Sequence, residues 1–258
     1  MITRKTRDQI AIMRRAGKVV AEMHEVGIRA AKPGATTADV DEAAREVLER
    51  RGARSNFLGY GSPPFPGVVC TSPNEVIVHG IPSPDVVLHE GDILSIDCGA
   101  IIEGWHGDAA ITVPVGEIDD ESKRLLEATR ASLEAAIEHV TSDQRLGDIG
   151  AAVEGVAERA GFSVVREYVG HGIGTAMHEE PQIPNYGPSG RGLKLKEGMV
   201  LAIEPMVNAG GPETELPADG WTVVTRDRRR SAHFEHTVAV TANGPEVLTL
   251  PGESRFTG

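Results

Sequence analysis

The chain reads as an α+β protein whose curved, mostly antiparallel sheet is backed by helices on one face. Two observations predict this. A pair of amphipathic helices precedes a set of short strands in the first half, and the same order recurs in the second. A Gly-led apolar run also ends on a carboxylate twice, EGDILSID at residues 90–97 and EGMVLAIE at residues 197–204. Helices grouped ahead of strands argue against an alternating parallel sheet.

The first helix starts at a capping box, Thr6 to Gln9, and Ile10, Met13, Ala16, Val20 and Met23 follow at three- to four-residue spacing until Pro33-Gly34 ends the pattern. A second runs from Thr37 through Val40, Ala44 and Val47 to Gly52, a C-terminal cap. Residues 53–67, rich in Gly and Pro, read as a loop. Short strands are predicted at 68–71, 76–79, 93–98 and 109–113. The second half predicts helices over 120–140 and 148–160, then strands near 163–169, 199–204, 221–225 and 235–240.

The halves also match residue by residue. At one constant spacing the second helix of each half shares Asp39/Asp148, Val47/Val156, Arg50/Arg159 and Gly52/Gly161. Gly104-Trp105 precedes Asp108, Gly220-Trp221 precedes Glu235, and His-Gly-Ile begins at both His79 and His171. An internal duplication is expected, giving one domain over residues 1–258 with halves of about 1–115 and 116–258. Equivalent residues would then face each other across a rough twofold, with the acids on the sheet face that the helices leave open.

Composition narrows the classes. Lys plus Arg total 26 against 38 Asp plus Glu, a formal charge of −12 that argues against DNA or anionic lipid as the main partner. Two cysteines, Cys70 and Cys98, are too few for a disulfide framework and fit a reducing cytoplasm. No run approaches the ~20 apolar residues of a membrane span, and the N-terminus lacks a signal-peptide core.

Asp97 and Asp108 flank a turn at residues 102–104, so a hairpin would set them opposite or diagonal, within ~8 Å. Glu204 and Glu235 should do the same in the second half, with His171 at a strand end. Four clustered carboxylates need countercharge, and two divalent cations would supply it. Oxygen ligands with one imidazole and no thiolate point to Mn²⁺, Fe²⁺, Co²⁺ or Zn²⁺, and paired metals suit hydrolysis. His79 and His178 remain to contact a substrate carbonyl or oxyanion.

With these residues in place, the sequence closely resembles methionine aminopeptidase of the type I class along essentially its whole length. The resemblance rests on NEVIVHGIP (74–82), WHGDAA (105–110), VREYVGHGIGTAMHEEPQ (165–182), GMVLAIEPMVN (198–208), DGWTV (219–223) and FEHTV (234–238). It implies the two-lobed pita-bread fold and removal of the initiator methionine from nascent proteins when the second residue is small. It implies a dinuclear metal centre with a bridging water, held by Asp97, Asp108, His171, Glu204 and Glu235, with His79 and His178 on the substrate and Glu204 shuttling the proton. It further implies an apolar methionine pocket to which Phe65, Cys70 and Trp221 contribute, with Met177 where relatives usually carry Phe. A second departure is the 61–65 loop, where relatives often carry a Tyr. A monovalent cation on backbone carbonyls near Asn74, Val76 and Ser231 is implied as well.

Substrates would be nascent N-termini, met by a cytoplasmic monomer. The basic run Arg226–Arg230 reads first as a solvated loop and only second as a transient ribosome contact. Two rival functions share the ligand set or the fold: a proline-specific aminopeptidase or dipeptidase, which generally carries an added N-terminal domain, and a binding protein that has lost catalysis, which normally lacks ligands.

Overall fold

The computed structural model of the protein describes residues 2–251, so the expected domain bounds at residues 1 and 258 lie outside the described residues. The first half runs α1 (Arg7–Ala30), α2 (Thr37–Arg51), β1 (Arg54–Ser55), β2 (Val69–Pro73), β3 (Val76–Val78), β4 (Ile93–Ile102) and β5 (Trp105–Pro114). The second runs α3 (Asp120–Glu138), α4 (Leu146–Arg159), β6 (Ser163–Val164), β7 (Gly170–Gly172), β8 (Glu179–Ile183), β9 (Val200–Ile203), β10 (Met206–Asn208), β11 (Thr214–Glu215), β12 (Val223–Thr225), β13 (Ser231–His233), β14 (His236–Thr241) and β15 (Gly244–Val247).

The helix ends follow their chemistry. Thr6 caps α1 in a reciprocal box with Gln9, and Gly52 closes α2 at φ 60°, where a side chain would be strained. Asp39 and Asp148 each accept the backbone N–H three residues upstream at 2.7 Å, from Thr36 and Arg145. Those two residues also make equivalent isolated bridges, Thr36 to Val87 and Arg145 to Lys194.

Strand pairing is antiparallel throughout the described residues, and its eleven ladders fall into four hydrogen-bonded sheets. The central β4–β5 hairpin turns on Glu103 and Gly104, both at positive φ, the two-residue geometry that matches strand twist. Alternation then sorts its faces. Leu94, Ile96, Cys98 and Ala109 pack with Val20, Val40 and Val47 of α1 and α2, which turns Asp97 and Asp108 to the other side. In the second half Leu201, Ile203, Val238 and Val240 pack with α3 and α4, so Glu204 and Glu235 likewise face away from the helices.

Three expectations for the strands change. Residues 53–67 contain β1, which pairs Arg54 and Ser55 with Ile101 and Ala100. The expected strand near 163–169 shortens to two residues, Ser163 and Val164 pairing with β10 and Val165 adding one last N–H to the Met206 carbonyl at 3.0 Å before the chain leaves the sheet. Strands β7, β8, β10, β11, β13 and β15 are too short to leave a period in the sequence.

The two halves are joined where β5 meets β14. Ala110 and Glu235 exchange backbone hydrogen bonds of 3.3 and 2.8 Å. On either side a threonine hydroxyl bridges the strands: Thr237 Oγ1 accepts the Asp108 N–H at 3.0 Å and donates to its carbonyl at 2.7 Å, and Thr112 Oγ1 does the same for His233 at 2.8 Å each way. The ladders thus continue as one curved surface. Thr237→Val, nearly isosteric, would strand both backbone groups of buried Asp108, and urea unfolding is expected to show a loss of about 1–3 kcal/mol.

Candidate metal centre and pocket

The hairpin register pairs Asp97 with Ala110 and Asp108 with Gly99, so the two acids stand diagonally on one face. Ile203 pairs with His236, which brings Glu204 and Glu235 together just past the end of the β9–β14 ladder. His171 sits in β7 against Ala202 of β9. Ligand atoms of Asp108, His171 and Glu235 lie within 4.8 Å of one another, and Glu204 Oε1 is 3.4 Å from His171 Nε2. Asp97 lines the same cavity, and its charge acts on Asp108, Glu204 and Glu235.

Burial and mutual repulsion set the electrostatics. Burial pushes Asp97 up to about 7. Burial first and the neighbouring carboxylates second hold Asp108, Glu204 and Glu235 well above the ordinary range. The same burial lowers His171 and His79 to about 4, with the charge of His178 adding to it. His171 Nδ1 lies 2.9 Å from the Gly172 carbonyl, which makes it the donor and leaves the Nε2 lone pair facing the acids.

A divalent cation fits this donor set. Asp97 Oδ1, Asp108 Oδ1 and Glu235 Oε1 are buried without a hydrogen-bond partner, an expensive arrangement unless a cation takes them up. Three hard oxygens and one imidazole nitrogen match the preferences of a first-row divalent metal. Cys70 also lines the cavity, but burial and the nearby acids push its thiol up, so it serves as an apolar wall.

The apolar side of the cavity is a cluster of Phe57, Phe65, Cys70 and Met177, with Ile81 and Trp221 against it. The cavity measures about 130 Å³, room for one side chain. Trp221 is held by its indole N–H donating to the Pro63 carbonyl at 2.9 Å and by edge contact with Phe65, and Gly61 is required beneath it because a Cβ there would lie 2.4 Å from the indole. Trp105 instead packs beside Ile10 and Met13, away from the cavity.

His79 follows β3 at φ 59°, a conformation that non-glycine residues rarely hold outside sites that need it. Gly80 pins it against β2, donating to Ser72 Oγ at 3.1 Å and accepting from the Thr71 N–H at 2.9 Å. His178 stacks edge-on to His171 with ring centroids 4.4 Å apart, and its Nδ1 lies 2.7 Å from the Tyr60 hydroxyl.

Every site residue expected from the sequence except the cation-linked trio lines this one cavity. Of that trio, the Ser231 N–H donates to the Asn74 carbonyl at 2.9 Å, and Val76 pairs with Val224. Sequence reasoning missed Phe57, Tyr60 and His233. Tyr60 lies between Gly59 and Gly61, immediately ahead of the segment marked as divergent, and His233 ends β13 two residues before Glu235, 3.9 Å from Glu204. The basic run is engaged within the chain: Arg228, Arg229 and Arg230 pair with Glu215, Glu121 and Asp119.

Residues 11–242 match metallopeptidase family M24. The chain is 50% identical over 250 residues to methionine aminopeptidase of Clostridium acetobutylicum, covering 97% of this chain and 99% of that protein. It is 50% identical to methionine aminopeptidase 1 of Bacillus subtilis, covering 96% and 99%. Among solved structures, methionine aminopeptidase from Thermotoga maritima superposes with a TM-score of 0.94 at 45% identity, covering 97% of this chain and 100% of that one. The prolidase from Pyrococcus horikoshii shares the fold at 20% identity and a TM-score of 0.77, and this chain covers 64% of it.

The raised carboxyls carry a pH signature. A carboxyl whose folded pKa lies above its unfolded one keeps a proton that the unfolded chain releases, so stability falls as pH rises toward the folded pKa. Histidines lowered to about 4 are largely neutral in both states above pH 7 and add little there. Chelated protein is therefore expected to lose stability as pH rises through about 7, the value to which Asp97 is raised, by up to ~1.4 kcal/mol per pH unit for each retained proton. Added Mn²⁺ should raise the melting temperature and flatten that slope, as read by calorimetry at several pH values.

Proposed function

The chain belongs to metallopeptidase family M24, and from that membership and the site's geometry we propose that it removes N-terminal methionine from nascent proteins and peptides whose second residue is small. The observation that carries the reading is the junction, in one cavity of about 130 Å³, of an apolar wall with a buried cluster of four acids and an imidazole.

In this reading Asp97, Asp108, His171, Glu204 and Glu235 hold two divalent cations, Co, Mn, Fe or Zn. When bound, such ions polarise the scissile carbonyl and acidify a water. The chain's own residues do the rest. Phe65, Cys70, Met177 and Trp221 seat the methionine side chain, and the excess of carboxylates beside them favours the free amino terminus. With Tyr60 donating to Nδ1, the Nε2–H of His178 is free to donate to the carbonyl oxygen as negative charge builds there. His79, fixed by Gly80, makes a second contact to the substrate backbone. Glu204 takes a proton from the attacking water and returns it to the leaving amine. The second substrate residue must fit between these groups, which restricts it to small side chains.

A monovalent cation beside Asn74, Val76 and Ser231 is supported by the backbone contact that joins those segments. Cytoplasmic action on nascent chains follows from the substrate, and no helix among the described residues is long and apolar enough to cross a membrane. A ribosome contact through the basic run has little support, since three of its arginines already have acidic partners.

The proline-specific rival is disfavoured by similarity, because this chain is 50% and 45% identical to the methionine enzymes of Clostridium acetobutylicum and Thermotoga maritima but 20% and 22% identical to the two prolidases. Protein stripped by chelator and reloaded with Mn²⁺, Co²⁺, Fe²⁺ or Zn²⁺ singly is expected to release methionine from Met-Ala-Ser and not from Met-Leu-Ser, and to leave Ala-Pro peptides intact. Asp97→Ala should abolish release. Cleavage of the Ala-Pro substrate would favour the rival, and no release with any metal would favour a binding protein. Tyr60→Phe keeps the pocket wall and deletes one hydroxyl, so kcat is expected to fall about five-fold with KM little changed.

A further inference from the structure

We propose that Lys5 is a positioning residue whose buried ion pair with Glu179 latches the loop carrying Met177 and His178, so that the segment ahead of α1 sets the methionine pocket and the aim of the imidazole. The inference rests on the functional reading above and adds residues that no part of that chemistry uses.

The latch is built on one carboxylate with its two oxygens facing opposite ways. Glu179 Oε2 takes Lys5 Nζ at 2.7 Å and the Thr3 hydroxyl at 2.7 Å, while Lys5 Nζ also donates to Thr3 Oγ1 at 2.8 Å. Glu179 Oε1 accepts the backbone N–H groups of Thr175 at 2.8 Å and Ala176 at 3.4 Å. The carboxylate therefore ties the N-terminal segment to the two residues just before Met177. Lys5 is anchored in turn, its own N–H donating to the Gly198 carbonyl at 2.6 Å at the entry to β9.

Packing leaves this loop little latitude around the pair. A Cβ on Gly174 would lie 2.4 Å from Glu179 Oε1 and 2.6 Å from Lys5 Cε, so any larger residue there would displace the ends of both paired side chains. The Lys5 side chain is 3% exposed and that of Glu179 14%. Although burial raises the Glu179 carboxyl, the bonds from Lys5 and Thr3 hold it below the ordinary range, so the pair is ionic.

A buried ion pair is weak evidence for stability, because apolar side chains of similar volume often serve as well or better. What apolar packing would not supply is direction. The Lys5–Glu179 pair fixes the two amides that set the path of the chain into Met177 and His178, one a pocket wall and the other the proposed donor to the substrate carbonyl. A displacement of about 1 Å at such a group can cost up to ~10²-fold in rate.

The test uses the full chain loaded with Mn²⁺, with loaded sites counted by calorimetric titration and turnover of Met-Ala-Ser expressed per loaded site. Lys5→Met is expected to raise KM about five-fold through the pocket and lower per-site kcat about ten-fold through His178, and Lys5→Arg, which keeps the pair, should restore most of both. A merely structural role would reduce the number of loaded sites and leave KM and per-site kcat at wild-type values, a result that overturns the proposal. Should Lys5→Met not fold, the double variant Lys5→Met with Glu179→Gln removes both charges, and wild-type constants there overturn it equally. Hydrogen exchange at the Thr175 and Ala176 amides, expected to quicken about ten-fold in Lys5→Met, reads the latch without turnover. A wild-type protein that releases no methionine would thus count against the functional reading, while unchanged exchange would count against the latch.

Discussion

Everything in this fold answers to one electrostatic problem: four carboxylates, Asp97, Asp108, Glu204 and Glu235, are packed together out of water. Left to themselves they repel and resist ionisation, as their raised pKa values express. Only a scaffold that cannot relax will keep them so placed. Here each acid stands on or next to a strand whose other face is locked into helix packing, so that moving an acid means moving a core. The unpartnered oxygens of Asp97, Asp108 and Glu235 are satisfied when a divalent cation occupies the cluster, which couples metal binding to stability.

The seam between the halves explains how two separately packed lobes hold a single site. Glu235 is both a seam residue, through its backbone exchange with Ala110, and a site residue, through its side chain. Asp108 has the same double role, its backbone held by Thr237 while its carboxylate points into the cavity. A shift of one lobe against the other would break hydrogen bonds and displace acids in one step. The equivalent caps at Asp39 and Asp148 and the equivalent bridges at Thr36 and Arg145 support the proposed duplication, which offers a simple origin for acids that arrive in matched pairs.

Much of this was legible because it is periodic or repeated. The helices announce themselves through capping residues and a 3.6 spacing, and a carboxylate ending an apolar strand is conspicuous, so the five cluster residues stand out in the sequence. The hairpin turn at residues 102–104 was enough to set Asp97 and Asp108 on one face, and the observed diagonal register follows from it. What escaped notice lacks a period. Three-residue strands such as β7, β10 and β13 exist only because a partner lies beside them. Tyr60 is one aromatic in a Gly- and Pro-rich loop, and its bond to His178 joins residues far apart in sequence. The Lys5–Glu179 pair joins the N-terminus to the second half, and nothing local to either residue points to the other.

This division between the legible and the hidden parallels a division of labour in the molecule. Groups that must resist displacement, the acids and His171, lie on or at the ends of paired strands, where backbone ladders and core packing determine their positions. Groups proposed to meet a substrate, Phe65, Met177, His178 and Trp221, lie on loops and are held by a few side-chain bonds: Trp221 to Pro63, His178 to Tyr60, and Glu179 to Lys5 and Thr3. Loops held this way can change sequence without disturbing the strands beneath. Met177 and the 61–65 segment, the two places where the resemblance implies a departure, fall in that layer, so changes there would bear on which side chain fits and how tightly, while the cluster of acids is built independently of them.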